Sequence, residues 1–232
     1  MKIARTLLRS VLATASLAAV PAAAQANGDH GSFTVFVEDR QVGTEEFTIT
    51  QSGTGASADF TATGRVRLGL PDGTLELDTR LRARGIGADP VDYQVSVGGS
   101  APSRTIGTVG GGRFSAKIVT PSGEQLREYV ASNGAVVLDQ GVAHHYYFLA
   151  QRSHQGRVPV IVPRENRQVI AQVTSRGEER TRVGGTEVML FHLVVQPQGG
   201  NEQHVWVDAL NRVIRVEIPA RAWRAERTQI PR

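Results

Sequence analysis

Apolar and polar residues alternate with a period of two through most of the chain after Gly31. Successive side chains of a β-strand point to opposite faces, so this pattern indicates strands with one buried and one hydrated face. The clearest runs are 75–81, 91–97 and 114–118, and the Pro-Asp-Gly sequence at 71–73 and several glycine pairs separate such runs. Tight turns use these residues. The pattern therefore predicts an all-β protein built on an antiparallel meander.

The number of runs predicts a sheet of about ten strands. Strand twist accumulates across such a sheet, and unpaired edges favour unwanted pairing, so the sheet is expected to curl. We expect a barrel or half-barrel in a single β-barrel-like domain over residues 27–232. Residues 188–195 are apolar on both faces apart from His192, so this strand is expected to be covered on both sides.

One segment, at about 140–152, has a helical pattern. Asp139 is a suitable N-cap and Gly156 a plausible stop. Val142, Tyr146 and Leu149 fall at i, i+4 and i+7, and so form one apolar stripe. We expect one amphipathic helix that packs against the sheet and covers the second face of 188–195.

The stretch at 141–154, which overlaps this segment, contains three of the six histidines. Chelation on a helix needs histidines at i and i+4, whereas His144 and His145 are adjacent and point about 100° apart. His154 follows nine positions later. A site completed by the distant His192 or His204 stays open as an alternative, but the spacing predicts no metal ligand.

Other catalytic patterns are missing from the sequence. There is no cysteine and no Gly-x-Ser-x-Gly nucleophile motif. The pairs Glu45-Glu46 and Glu178-Glu179 are adjacent, so their side chains diverge on a strand, whereas glycosidase carboxylates must converge. We therefore predict no catalytic residue and no cofactor.

The first 26 residues resemble an export signal. Basic residues precede an apolar run of about ten residues, and small residues follow it. We predict cleavage after Ala26, or alternatively after Ala24, and a periplasmic or secreted location. The run is too short to span a bilayer, which takes about 20 helical residues. No transmembrane segment is predicted in the mature chain.

The net charge of +4 depends largely on that signal, because three of the 26 Lys and Arg residues lie within it. The remaining chain carries 23 basic against 22 acidic residues. No dense basic run remains there, so a nucleic-acid partner is not predicted.

Two stretches carry a family resemblance. The sequence FTVFVEDRQVGTEEFTI at 33–49, which includes Gly43, and the VWVD hairpin at 205–208 resemble exported bacterial domains of unknown function whose folds are similar to the lipoprotein-carrier (LolA/LolB-like) half-barrels. The resemblance implies a curled antiparallel sheet around helices, with an apolar cavity for acyl chains. The carriers have several lid helices where this chain has one, and none of their ligand contacts matches a numbered position here.

Three functions are consistent with these observations. The preferred one is an exported, non-enzymatic carrier or binder of an apolar or lipid-like ligand, with a cavity lined by Val142, Tyr146, Leu149 and Phe191. The second is an interaction module that contacts an envelope protein through an exposed patch or open sheet edge. The third is a hydrolase or isomerase that uses the 144–147 stretch.

Overall fold

A computed structural model describes residues 28–131, 134–152 and 154–231. The predicted export signal lies outside the described residues. Fifteen strands form one sheet. They are β1 (Gly28–Val37), β2 (Arg40–Ser52), β3 (Asp59–Leu70), β4 (Gly73–Arg84), β5 (Asp89–Gly99), β6 (Ser103–Gly110), β7 (Arg113–Thr120), β8 (Gly123–Val130), β9 (Val136–Val137), β10 (Gly156–Val162), β11 (Arg167–Val183), β12 (Thr186–Pro197), β13 (Gln203–Val207), β14 (Val213–Ile218) and β15 (Trp223–Arg227). The helical elements are α1 (Tyr146–Ala150) and 3₁₀ turns at Gly55–Ser57, Ala143–His145, Pro163–Glu165 and Pro219–Arg221.

The first and last strands, β1 and β15, pair in the middle of this sheet. β1 pairs with β2 on one side and with β15 on the other, both antiparallel. From there the strands run in order to β8 at one edge and back to β9 at the other. Every pair is antiparallel except β9 with β10. The predicted all-β class with one helix is confirmed, as is the antiparallel meander.

The predicted number of strands was too low, and the sheet is open rather than a closed barrel. Several turns lack the glycine that marks turns in a sequence. Glu38 and Asp39 join β1 to β2 with φ values of 49° and 59°. The 3₁₀ turns after β10 and β14 end in left-handed Asn166 and Ala222. Left-handed backbone is usually found at glycine, and these positions are not glycine. The strand boundaries at these turns are therefore hard to predict from the sequence.

Side chains join the β8 edge of the sheet to β11 and the turn before it, where a barrel would have a backbone ladder. The Gln168 amide of β11 accepts a hydrogen bond from Val130 N at 3.0 Å and donates one to Val130 O at 2.5 Å. Beside it, the Tyr129 hydroxyl donates to Asn166 Oδ1 at 3.0 Å. The sheet is therefore curled upon itself, and β8 keeps an outer edge on which Leu126 is 75% exposed.

The helical segment is shorter than predicted and lies inside the curl. It consists of the 143–145 turn and α1, so the predicted bounds of 140–152 were too wide. Asp139 is not its N-cap, and Gly156 begins β10 instead of ending the helix. Residues 142–150 are all buried. A helix that is buried on every side belongs to a core, so the expectation of an amphipathic helix was wrong.

A second apolar cluster explains the two-sided strand. β12 places Leu193 and Val195 in the main core, while Leu190 packs on the other face with Val183, Trp206 and Ile214. This cluster, and not the predicted helix, covers the second face. The predicted hairpin of β13 and β14 is confirmed, with Trp206 on the outer side.

A buried ion pair connects the first and last strands. The Arg227 guanidinium of β15 binds the Asp29 carboxylate of β1, and its Nε donates to Val213 O at 2.7 Å. The same guanidinium lies 4.6 Å from the centre of the Phe47 ring.

Among the described residues, no helix has the length and apolar character needed to cross a membrane.

Candidate functional site

The interior contains one carboxylate that holds the helical segment. Glu45 of β2 is fully buried, on the face that also carries Phe47 and Ile49. It accepts hydrogen bonds from Ala143 N at 2.7 Å, His144 N at 2.8 Å and His144 Nδ1 at 2.7 Å. The first N–H groups of a helical segment have no partner within the segment, so this distant side chain satisfies them.

Asp139 holds the loop that precedes this segment. Its Oδ2 accepts from the Tyr93 hydroxyl at 2.5 Å and from Arg164 Nε at 2.8 Å. Its backbone N donates to His145 Nδ1 at 3.2 Å, so the proton of a neutral His145 lies on Nε2. Burial, followed by the nearby Asp139 charge, raises the pKa of Tyr93 well above its ordinary value.

The two adjacent histidines are packed together. The His144 and His145 ring centroids are 4.7 Å apart, and neither Nε2 has a hydrogen-bond partner among the described residues. Both side chains are at most 1% exposed, so a substrate reaches neither unless the helical segment leaves the interior. The geometry favours a packing role over the hydrolase or isomerase hypothesis.

Burial lowers the pKa of His145 well below its ordinary value, with a further contribution from His144. Below about pH 6.5, the ordinary pKa of histidine in an unfolded chain, His145 is protonated in the unfolded chain but stays neutral in the folded protein. The free energy of unfolding therefore falls as the pH falls. We expect His145 to remove on the order of 1 kcal/mol of unfolding free energy between about pH 7.5 and about pH 5.5. Urea unfolding at both pH values measures this loss. His145→Asn should flatten the dependence by that amount, and an unchanged profile would contradict the assignment.

A pocket opens at one end of the curled sheet, and we call it the mouth pocket. Four connections surround it: the 138–141 loop, the β10–β11 turn, the β12–β13 loop and the β14–β15 turn. Its cavity is about 60 Å³, which is room for about two water molecules. The apolar lining includes Leu138, Val160, Val162, Val169, Ile218 and Trp223, and the polar lining includes Tyr146, Gln203, Glu165, Arg167 and Arg221.

Two arginines share one carboxylate in this lining. Glu165 lies 3.2 Å from Arg167 Nη1 and 3.5 Å from Arg221 Nη2. On the inner wall, the Tyr146 hydroxyl donates to Gln203 Oε1 at 2.9 Å. Burial raises the pKa of Tyr146 well above its ordinary value, so this hydroxyl stays protonated. The charged lining of the pocket consists of two guanidinium groups, Arg167 and Arg221, and two carboxylates, Glu165 and Asp139. Asp139 is paired with Arg164, which does not line the pocket.

The two turns that supply these charges have the same local structure. In VPRENR at 162–167 and IPARAW at 218–223, a proline begins a 3₁₀ turn and a left-handed residue ends it. Proline suits the first position of a helical turn because its φ is fixed and it lacks an N–H. The two turns form neighbouring lips, connected by the Glu165–Arg221 ion pair.

The structure places the four predicted ligand-binding residues in three different surroundings. Tyr146 lines the mouth pocket, whereas Val142 and Leu149 are buried in the filled core. Phe191 is half-buried, and its ring centroid lies 6.1 Å from that of His154. Sequence reasoning missed the lip residues, because they converge from distant turns. The repeated proline-led turn was the one sequence feature that could have indicated them.

Comparisons with known proteins give information on the fold of this chain alone. No protein-family model matches the chain, and no curated protein matches it by sequence. Among solved structures, it is similar to a beta-barrel-like protein of domain of unknown function DUF1849 from Brucella abortus. The TM-score is 0.55 at 10% sequence identity, over 87% of this chain and 96% of that chain. This supports a barrel-like domain, and it does not extend to the lipoprotein carriers specifically.

Proposed function

We propose that this chain is an exported, non-enzymatic binding protein for an apolar or lipid-like ligand with an anionic head. The proposal rests on the mouth pocket, in which an apolar lining adjoins two arginines that share one glutamate. Ligand pockets commonly combine apolar walls with a few convergent polar groups. Glu165 occupies the place where a ligand carboxylate or phosphate would meet both guanidinium groups, so it acts as an internal substitute for that head.

The size of the cavity determines how such a ligand binds. At about 60 Å³ the pocket accepts the end of an alkyl chain only if the lips part. The ion pair between them is partly exposed, and such pairs contribute about 0–1 kcal/mol. Ligand binding can therefore open them at small cost. The interior behind them is filled by residues 142–150, so we place the ligand at the mouth and not in a deep cavity.

The two tryptophans allow a direct test. Trp223 lines the mouth pocket, whereas Trp206 belongs to the outer cluster. In a Trp206→Phe protein, dibromostearate should quench Trp223 fluorescence and saturate at one ligand per chain, because bromine quenches an indole that it touches. The Trp223→Phe protein is the matched control and should show little quenching. Equal quenching in both variants would overturn the proposed site.

Substitutions of the charged lip residues Glu165 and Arg221 test whether the ligand has an anionic head. Glu165→Gln removes the internal competitor, so dibromostearate should bind more tightly to that variant. Arg221→Gln should bind it more weakly, and the uncharged methyl ester should bind equally to both variants. If neither substitution changes affinity, the ligand has no ionic contact here. If no fatty acid binds at all, the open edge of β8 becomes the leading candidate, and the interaction-module hypothesis replaces this one.

A further inference from the structure

The outer face of β11, β12 and β13 carries a polar cluster that lines no part of the mouth pocket. His192 of β12 stacks on the Trp206 ring of β13, with centroids 4.5 Å apart and planes 11° apart. The ring of His204 lies 5.8 Å from the same indole, at 21°. The two imidazoles thus rest side by side over one tryptophan, although twelve positions separate them in the chain.

The nitrogens of these rings are arranged in a definite order. His192 Nε2 and His204 Nδ1 face each other at 2.8 Å. The other nitrogen of each ring faces a carboxylate: His192 Nδ1 lies 3.3 Å from Glu179 Oε2, and His204 Nε2 lies 3.1 Å from Glu202 Oε1. Each carboxylate fixes the orientation of its own histidine, and the two remaining nitrogens converge.

We propose that His192 and His204 form a binding site for a divalent transition-metal ion, with Cu²⁺ bound most tightly. In metal-binding histidines, the second ring nitrogen commonly donates a hydrogen bond to a carboxylate, which orients the ring and makes the first nitrogen a better ligand. Imidazole suits Cu²⁺, Zn²⁺ and Ni²⁺, and Cu²⁺ has the highest affinity in this series.

The spacing of the two nitrogens supports this assignment. Bonds of about 2.0 Å at a right angle place two nitrogen ligands of square-planar Cu²⁺ about 2.8 Å apart. The observed separation is also 2.8 Å. To bind a common ion, each ring therefore needs only to turn its nitrogen away from the other ring and toward the ion. Within residues 28–131, 134–152 and 154–231, no group of three or more His, Asp or Glu side chains forms a metal site. Water would therefore complete the coordination.

The surroundings favour a cation and allow it to enter. The side chains of His192 and His204 are 12% and 22% exposed, so solvent reaches both. The Trp206 indole N–H donates a hydrogen bond to Glu179 and so holds this carboxylate beside His192. The Arg215 guanidinium lies 5.0 Å from the centre of the indole ring and is paired with Glu217. Arg176 is a second cation near His192.

Trp206 is the natural reporter for this site, because Cu²⁺ quenches a nearby indole. In the Trp223→Phe protein, Cu²⁺ should quench Trp206 and saturate at one ion per chain, as measured by fluorescence and by calorimetry. Zn²⁺, which does not quench, should compete with it. His192→Gln and His204→Gln should each weaken Cu²⁺ binding by about tenfold or more, and Glu179→Gln by about tenfold.

The exposed His30 of β1 supplies the matched control. His30→Gln should leave the Cu²⁺ titration unchanged, and circular dichroism should show that every variant keeps its strands. Quenching that survives both His192→Gln and His204→Gln, or that fails to saturate at one ion, would overturn the proposal. The pair would then be a hydrogen-bonded packing element of the outer cluster only.

Discussion

Replacing Glu45 with alanine is expected to lower the free energy of unfolding by about 3–5 kcal/mol, because it leaves buried polar groups without a partner. The carboxylate accepts hydrogen bonds from two backbone N–H groups and from the His144 ring, all in the interior. Glu45→Gln keeps one carbonyl oxygen and should fall between alanine and the native residue.

Glu46 is the matched control for this measurement. It is the next residue of β2, it is also a glutamate, and it is exposed on the opposite face of the sheet. Glu46→Ala should change stability by no more than about 0.5 kcal/mol. Urea unfolding of the two variants gives the comparison directly. Equal losses for Glu45→Ala and Glu46→Ala would show that the interior carboxylate does not hold the helical segment.

Gly64→Ala is expected to destabilise the protein by about 1–3 kcal/mol or more through overpacking. A Cβ at this position of β3 would lie 2.3 Å from Cε1 and 2.8 Å from Nδ1 of His144. The ring cannot easily move away. Glu45 holds its Nδ1, and the Phe47 ring is stacked on it with planes only 2° apart.

Gly69 in the same strand provides the comparison. A Cβ there would approach no atom more closely than 3.9 Å, so Gly69→Ala should be close to neutral. Adding His144→Ala to Gly64→Ala should recover part of the loss, because the clashing ring is gone. If the two glycine variants have the same unfolding midpoint, the close approach of His144 to β3 is not a constraint on the fold.

Much of the fold could be predicted from the alternation of apolar residues. The strands and the β13–β14 hairpin follow it directly, because one face of each is buried. Turns without glycine could not be predicted in this way. Glu38 and Asp39 take left-handed backbone because β1 and β2 pair closely on either side of them. Tertiary pairing overrides local preference at such positions.

The interior site was less predictable for a different physical reason. Sequence spacing indicates which helical residues share a stripe, but it cannot show that a curled sheet encloses every stripe. The partner of His144 lies 99 positions away. One signal was present: Glu45 falls on the inward face with Phe47 and Ile49, where a charge needs a buried partner. The argument that Glu45 and Glu46 diverge is confirmed.

The measurement that tests the proposed function most directly is native mass spectrometry of the protein after incubation with oleate. Val169 lines the mouth pocket, so Val169→Phe should fill it, while Met189→Phe changes an exposed position outside it. We predict a one-to-one oleate complex for the native protein and for Met189→Phe, and little or none for Val169→Phe. An unliganded mass for the native protein, or equal binding by all three proteins, would contradict a ligand site at the mouth.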